Sequence, residues 1–360
     1  MTTAATTAST GSTGAGVLRL GTRRSALATT QSGWVADLLR AAGHEVELVE
    51  VTTHGDVSRE PLARIGGTGV FVSALRDALH ARRVDLAVHS LKDLPTAPAD
   101  GLVLAAVPER EDPRDVLVAA GGRTLAQLPR GARVGTGSPR RAALLRDLRP
   151  DLDVVAVRGN VDTRLRLVAD GRVDAVVLAA AGLNRLGRLD EATDLLDPDV
   201  VVPAPGQGAL AVECRAGDEA VLAALAPLDA PAARRAVAAE RRVLAALEAG
   251  CSAPVGAHAR VRGGELHLTV AVGAAPQDPD GVDGADVPGA GGAPAPLLRR
   301  EVSAPAGTEE EAAALGERVA RELLAGPLRG GLRPPAATAA PPQDHPQDAT
   351  RPRQDTESGS

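Results

Sequence analysis

From residue 17 onward the chain alternates short runs of Val, Leu and Ala with longer stretches whose apolar residues recur every three or four positions. The short runs predict strands and the longer stretches helices, and their alternation predicts α/β architecture, mainly parallel sheets covered by helices. VLRLGT at 17–22 is a strand, followed by a helix from near Ser25 that carries Leu27, Trp34, Leu38 and Ala42 at helical spacing. A strand around 45–52, a Gly-rich loop at Ile65–Gly69, a helix over about 70–82 with Phe71, Leu75 and Leu79, and the strand VDLAVHS come next. Arg133–Thr136, Asp153–Val157 and Asp174–Leu178 repeat the strand-then-helix scheme, and Ala209–Glu213 reads as a further strand after Pro203–Gly208. From 231 the texture changes. One long Ala/Arg helix over 231–249, strands at 256–262 and 265–272, a strand near 299–303 and a helix over 307–325 predict a small α+β unit.

Three stretches hold too few large apolar residues to bury a core. They are the Thr/Ser/Ala/Gly tail at 1–16, the Pro-rich insert at 275–296 and the polar tail at 328–360. The N-terminus has neither a basic start nor an apolar run, so it does not read as a secretory signal, and no window approaches the roughly 18 apolar residues that span a bilayer. A cytoplasmic location is therefore expected, with no membrane partner.

Composition narrows the chemistry. The chain has one Trp, one Phe and no Tyr, so it lacks the aromatic platforms on which single-stranded nucleic acid stacks. A net charge of −6 gives no overall attraction to polyanions, and no nucleic-acid partner is expected; any anionic ligand must meet a local cluster of cations. The seven histidines show no ligand spacing and neither cysteine has a CxxC partner, so no metal is expected. Gly66, Gly67 and Gly69 lack the Gly-Lys-Ser/Thr of a phosphate loop, and a flexible flap is the better reading.

Candidate cations recur where strands run into helices, the edge at which such sheets bind ligands. Arg23 and Arg24 follow the first strand, Lys92 and Asp93 follow VDLAVHS, and Ser138, Arg140 and Arg141 follow RVGTG. Arg158 and Arg164 flank RGNVDTR, and Arg185 follows LAAAGLN. Any one of these could be a solvated surface arginine, but their repetition predicts a cleft for a polycarboxylate, since guanidinium forks suit carboxylates; phosphate would satisfy the same electrostatics. Asp93, set among cations, could stabilise a developing positive charge or handle a proton, or could simply cap a helix or bridge a loop. Cys251 sits in the loop AGCSAP, where a thiol is more accessible than in a helix, although most lone cysteines are inert; Cys214 lies within the strand AVECR and reads as core.

As a set, LRLGTRRSALA, THGD, PLARIGGTGVF, DLAVHSLKDLP, REDPRD, GTGSPRRAALL, RGNVDTRL, LAAAGLNRLG, PAPGQGALAVECR and EAGCSAPVGA resemble the porphobilinogen deaminase (hydroxymethylbilane synthase) family, in its order and spacing. The resemblance runs from about Leu18 to Leu324. It implies three domains: two doubly wound domains like those of periplasmic solute-binding proteins, at 17–108 with 209–227 and at 109–208, and a small C-terminal α+β domain at 228–327. It implies a monomeric transferase of tetrapyrrole biosynthesis whose substrate is porphobilinogen and whose cofactor is dipyrromethane, linked through a thioether to Cys251. By the same resemblance Asp93 is the catalytic carboxylate, and Lys92, Asp93, Ser138, Arg140 and Arg141 hold the cofactor. Arg23, Ser25, Arg158, Arg164 and Arg185 hold substrate, and Arg64, Thr68 and Phe71 belong to the flap. The chain departs from the pattern at Arg64 and Thr68, where many relatives carry two lysines, at Gly137, where a hydroxyl residue is usual, and at Pro139 before the arginine pair. A two-lobed solute-binding or sensor protein for a small polycarboxylate is the alternative; the third unit with Cys251 is what a pure binder would not require.

Overall fold

Three sheets organise the chain. The computed structural model describes residues 16–52, 69–247, 253–273 and 297–326. The first sheet has strand order β2-β1-β3-β10-β4, built from β1 (Leu18–Thr22), β2 (Val46–Glu50), β3 (Leu86–Ser90), β4 (Leu102–Ala106) and β10 (Leu210–Arg215). The second has order β7-β6-β8-β5-β9, from β5 (Asp115–Ala119), β6 (Arg133–Thr136), β7 (Asp153–Ala156), β8 (Ala175–Ala179) and the short β9 (Asp194–Leu195). In each, four strands share one direction and one runs against them: β10 between β3 and β4, with Leu210 opposite Ser90, and β5 between β8 and β9, with Asp115 opposite Ala179. The third sheet is the antiparallel meander β11 (Val255–Arg262), β12 (Glu265–Val272) and β13 (Leu298–Pro305).

Helices cover both faces of the first two sheets, so their strands are buried on two sides and read as apolar runs. That explains why β4 and β5, LVLAA and DVLVA, escape a reading that relies on alternation; all five residues of β5 are buried. Helix α1 (Ala26–Ala41) buries Val35, Ala36 and Leu39 together with polar Gln31 and Ser32. Trp34 is 40% exposed, so the stripe drawn through Leu27 and Trp34 is not the inward face. Gln31 belongs inside because its amide donates to Ser90 Oγ at the end of β3 (2.9 Å).

The remaining helices are α2 (Gly69–His80), α3 (Pro139–Leu148), α4 (Val161–Ala169), α5 (Ala180–Arg185), α6 (Glu219–Leu225), α7 (Pro231–Ala246) and α8 (Glu309–Ala325). Several start on caps written in the sequence: Ser25 for α1, Ser138 for α3 with Pro139 at its first position, Asn160 for α4, and a Thr308/Glu311 capping box for α8. Helices α7 and α8 pack on the meander through Ala239, Val243, Leu315 and Val319. The same helix α7 also turns Ala230, Ala233 and Val237 toward Leu91, Leu94 and Ala209 of the first sheet, while Ala271 of β12 joins the core of the second. The third unit therefore docks on both lobes.

Two crossover segments, 107–114 and 196–209, join the lobes. Because β5 and β10 run antiparallel to their neighbours, both crossovers enter at the carboxyl edge of the parallel strands, the edge that bears the candidate site. They also touch each other, with Glu111 N–H donating to the Gly208 carbonyl (3.3 Å). Gly208 has φ +88°, and a Cβ there would lie 2.3 Å from the Glu111 carbonyl oxygen, so glycine is required twice over.

Candidate active site

Strand β3 ends at Ser90 and passes directly into a single 3-10 turn, Leu91–Asp93. Leu91 and Leu94 point into the core, which leaves Lys92 and Asp93 on the opposite side of the turn. Proline at 95 disfavours helix at Leu94, and Leu94 is extended (φ −80°, ψ 126°), so the turn stops there. Asp93 is exposed and accepts no hydrogen bond from the described residues, so its side chain neither caps a helix nor bridges the loop. Lys92 is half-buried. Burial pushes its ammonium down to about 8; Arg141 and Arg140 push the same way, while Asp93 and Asp115 oppose them.

Lys92 thus senses the other lobe. There Ser138 caps α3, its Oγ accepting from Arg141 N–H (3.4 Å), and the helix carries Arg140 and Arg141 inward, at 4% and 6% exposure. Both guanidiniums meet Asp115, the first residue of β5 and fully buried. Arg140 Nη1 donates to its Oδ2 and to the Val202 carbonyl (2.7 Å each); Arg141 Nε and Nη2 donate to its Oδ1 (3.1 and 2.7 Å) and Nη1 to the Val177 carbonyl (2.9 Å). Burial alone would raise the Asp115 carboxyl, but the two guanidiniums outweigh it and hold the group well below the usual carboxylate range. Gln207, from the second crossover, completes the group by donating to Asp115 Oδ1 (2.8 Å) and the Pro113 carbonyl (2.7 Å).

Around this centre the other sequence-predicted residues are spread along the two strand edges. Arg23 is half-buried at the end of β1, and Ser25 is exposed, its Oγ accepting from Ala28 N–H (3.3 Å). Arg158 is exposed after β7. Arg164, half-buried, donates to the Gly159 carbonyl (2.9 Å); burial, then Arg141, lowers its affinity for its proton. Arg185 donates to the Gly208 carbonyl (2.7 Å), with Glu111 as its nearest opposing charge. Phe71 falls within α2, and nothing is described of its side chain; Arg64, Thr68 and Cys251 lie outside the described residues. A Cβ on Gly137 would stand 2.6 Å from the Val157 carbonyl oxygen, and Pro139 occupies the first position of α3, so these two departures suit the local backbone.

Asp115, Gln207 and the crossovers were not among the residues singled out from sequence. Their only signal was membership of REDPRD and PAPGQGAL; the side-chain partners of Asp115 come from two separate parts of the chain, α3 and the second crossover.

The guanidinium and ammonium charge of Lys92, Arg140, Arg141 and Arg164 exceeds what Asp93 and Asp115 neutralise, and Arg140 Nε is buried with no acceptor among the described residues. An anion carrying several carboxylates fits that surplus, and dipyrromethane, with an acetate and a propionate on each ring, is such an anion. Two α/β lobes with this edge, joined by a double crossover and bridged by a third unit, define a two-lobed protein with a cation-lined edge suited to an anion.

Sequence comparison resolves which one. The family model for porphobilinogen deaminase, dipyromethane cofactor binding domain, matches residues 18–223, and that for the porphobilinogen deaminase C-terminal domain matches residues 234–286. Porphobilinogen deaminase 1 of Streptomyces coelicolor is 57% identical over 86% of this chain and 95% of its own. The porphobilinogen deaminase of Leifsonia xyli is 55% identical over 88% and 96%, and that of Thermobifida fusca 62% over 71% and 80%. Among solved structures, a nutrient binding protein from Burkholderia cenocepacia bound to methionine aligns over 58% of this chain and 89% of its own at 15% identity, with a TM-score of 0.37. The chain belongs to the porphobilinogen deaminase family, a family of transferases with a dipyrromethane cofactor.

Proposed function

We propose that this chain condenses four porphobilinogen molecules head-to-tail on a dipyrromethane primer held through Cys251, releases ammonia at each addition, and hydrolyses the product free as 1-hydroxymethylbilane. The observation that carries this reading is the surplus of inward-facing cations beside one exposed carboxylate, Asp93. We take the first sheet (17–108 with 209–227) and the second (109–208) as the two lobes and 228–327 as the unit that presents Cys251.

When bound, dipyrromethane supplies the primer to which each incoming pyrrole is joined. Lys92, Arg140 and Arg141 hold its carboxylates, with Ser138 setting the start of the helix that carries the two arginines. Asp115 keeps those arginines from being buried unpaired, which would cost several kcal/mol. Arg164, Arg185, Arg158, Arg23 and Ser25 meet the carboxylates of substrate and growing chain. Asp93, fixed on its turn, faces the positive charge that develops on the substrate pyrrole as ammonia departs; a preorganised carboxylate stabilises such charge more than water can. No helix of the described residues is long and apolar enough to cross a membrane. A cytoplasmic, monomeric enzyme is the form in which we expect this chemistry.

The test is intact mass spectrometry of the purified protein beside Cys251→Ala. The parent carries the mass of two linked pyrroles and the variant does not, and the variant fails to turn over porphobilinogen. A Cys251→Ala variant that turns over at the parent rate overturns the covalent primer.

A further inference from the structure

The turn that carries Lys92 and Asp93 is held from two sides, by Val72, Val107 and Ala211 of its own lobe and by α7. Within the turn there is little to hold it: Leu91 N–H donates to the Ala209 carbonyl (3.0 Å) and Leu94 N–H closes back on Leu91 (3.1 Å). The Leu94 and Pro95 carbonyls face α7 instead. Arg241 of that helix donates from Nη1 to the Leu94 carbonyl (2.9 Å) and, at longer range, to that of Leu91 (3.4 Å), and from Nη2 to that of Pro95 (2.7 Å). The apolar side of the same turn, Leu91 and Leu94, packs on Val237 and Ala233, one and two helical turns earlier in α7. Packing and guanidinium together make α7 a support on which the turn rests.

Helix α7 is itself anchored by the neighbouring residue. Glu240 is fully buried and accepts from Arg110 Nη1 and Nη2 (2.7 and 3.0 Å), from Gly206 N–H (2.7 Å) and from Ala259 N–H (2.7 Å). Residues 240 and 241 project about 100° apart on a helix. One therefore holds both crossovers while the other holds the Asp93 turn, and the placement of Asp93 relative to the two lobes is set through α7.

We propose that Arg241 is a positioning residue for the reaction: its guanidinium fixes the height and tilt of the Leu91–Pro95 turn, and so the place of the Asp93 carboxylate. This rests on the reading of Asp93 given above. A guanidinium is suited to the task because its planar fork spans carbonyls that a point-charge ammonium cannot reach together.

The test uses the holoenzyme and four variants: Arg241→Met, Arg241→Lys, Asp93→Asn, and Arg241→Met combined with Asp93→Asn. All retain the covalent primer by intact mass. Arg241→Met, assayed below its thermal midpoint, loses about 100-fold in kcat, the scale of a misplacement near 1 Å, with KM changed less than about threefold. Arg241→Lys recovers part of that loss. The double variant is no slower than Asp93→Asn alone, because both changes act on one carboxylate. Two results overturn the proposal: a kcat for Arg241→Met within about twofold of the parent, or losses that multiply in the double variant as independent packing defects do. Should Arg241→Met not fold, Arg241→Lys alone and combined with Asp93→Asn decides the matter by the same non-additivity. A parent that does not turn over porphobilinogen at all overturns the reading beneath it as well, whereas an active parent with an indifferent Arg241 overturns the positioning role alone.

Discussion

Lys92 illustrates how one side chain reports its surroundings. Its ammonium is pushed down from 10.5 to about 8, first by burial and then by Arg141 and Arg140. It is charged at neutral pH and loses that charge as pH rises through about 8. The folded state holds this proton less tightly than the unfolded chain, so between about 8 and 10.5 the unfolded chain binds more protons and the group's contribution to stability rises with pH. Binding of a carboxylate moves the other way. Because Lys92 holds the primer's carboxylates, kcat/KM for porphobilinogen is expected to fall as pH passes from about 7 to 9, and Lys92→Arg, which keeps its charge over that range, to flatten the fall in a kcat/KM–pH profile. Asp93→Asn is expected to lower kcat by about 100- to 10,000-fold with the thermal midpoint unchanged, since the side chain is exposed and bonds to nothing that holds the fold; steady-state kinetics beside thermal unfolding check this. Both residues were legible in sequence because they follow a strand that announces itself, and position at a strand end is nearly a property of the sequence.

At the scale of elements, the strand-then-helix rhythm was readable wherever one period dominated. In helix α1 the apolar spacing found Leu38, which packs on the core, but also took in exposed Trp34 and passed over Gln31 and Ser32, which the inward face carries. Strand β5 was invisible since a strand buried on both faces has no period to detect, and β4, LVLAA, is likewise an unbroken apolar run without alternation. Ser138 was read only through the family resemblance as a cofactor contact, and its demonstrable partner is the backbone of its own helix. Gly208 shows what an element junction demands: Gly208→Ala forces a Cβ to 2.3 Å from the Glu111 carbonyl at φ +88°. The strain is expected to cost about 1–3 kcal/mol in urea unfolding, and to raise KM as well, because the Gly208 carbonyl that moves is the one Arg185 grips.

Across the whole molecule, the third unit acts as a brace. Arg260 pairs with Asp199 of the second lobe (2.8 Å), Arg234 donates to the Leu104 and Ala105 carbonyls of the first (3.3 and 3.0 Å), and Glu240 gathers both crossovers between them. Of these Glu240 matters most energetically, because its partner Arg110 is also largely buried and its removal strands a guanidinium. Glu240→Ala is expected to lose about 3–5 kcal/mol of unfolding free energy, while the more exposed Asp199→Ala loses about 1 or less, a contrast that denaturant titration resolves.

By itself the sequence determined the class of fold, the order of most elements and the motif set that places the chain in its family. Those properties are local, or are carried by residue types at short spacing. Only the tertiary structure decided that Asp115 holds Arg140 and Arg141, that two crossovers meet at Gly208, and that Arg241 supports the turn bearing Asp93. Each of these joins residues distant along the chain, and the energy of a charge or a hydrogen bond depends on separation and burial, which exist only once the chain has folded.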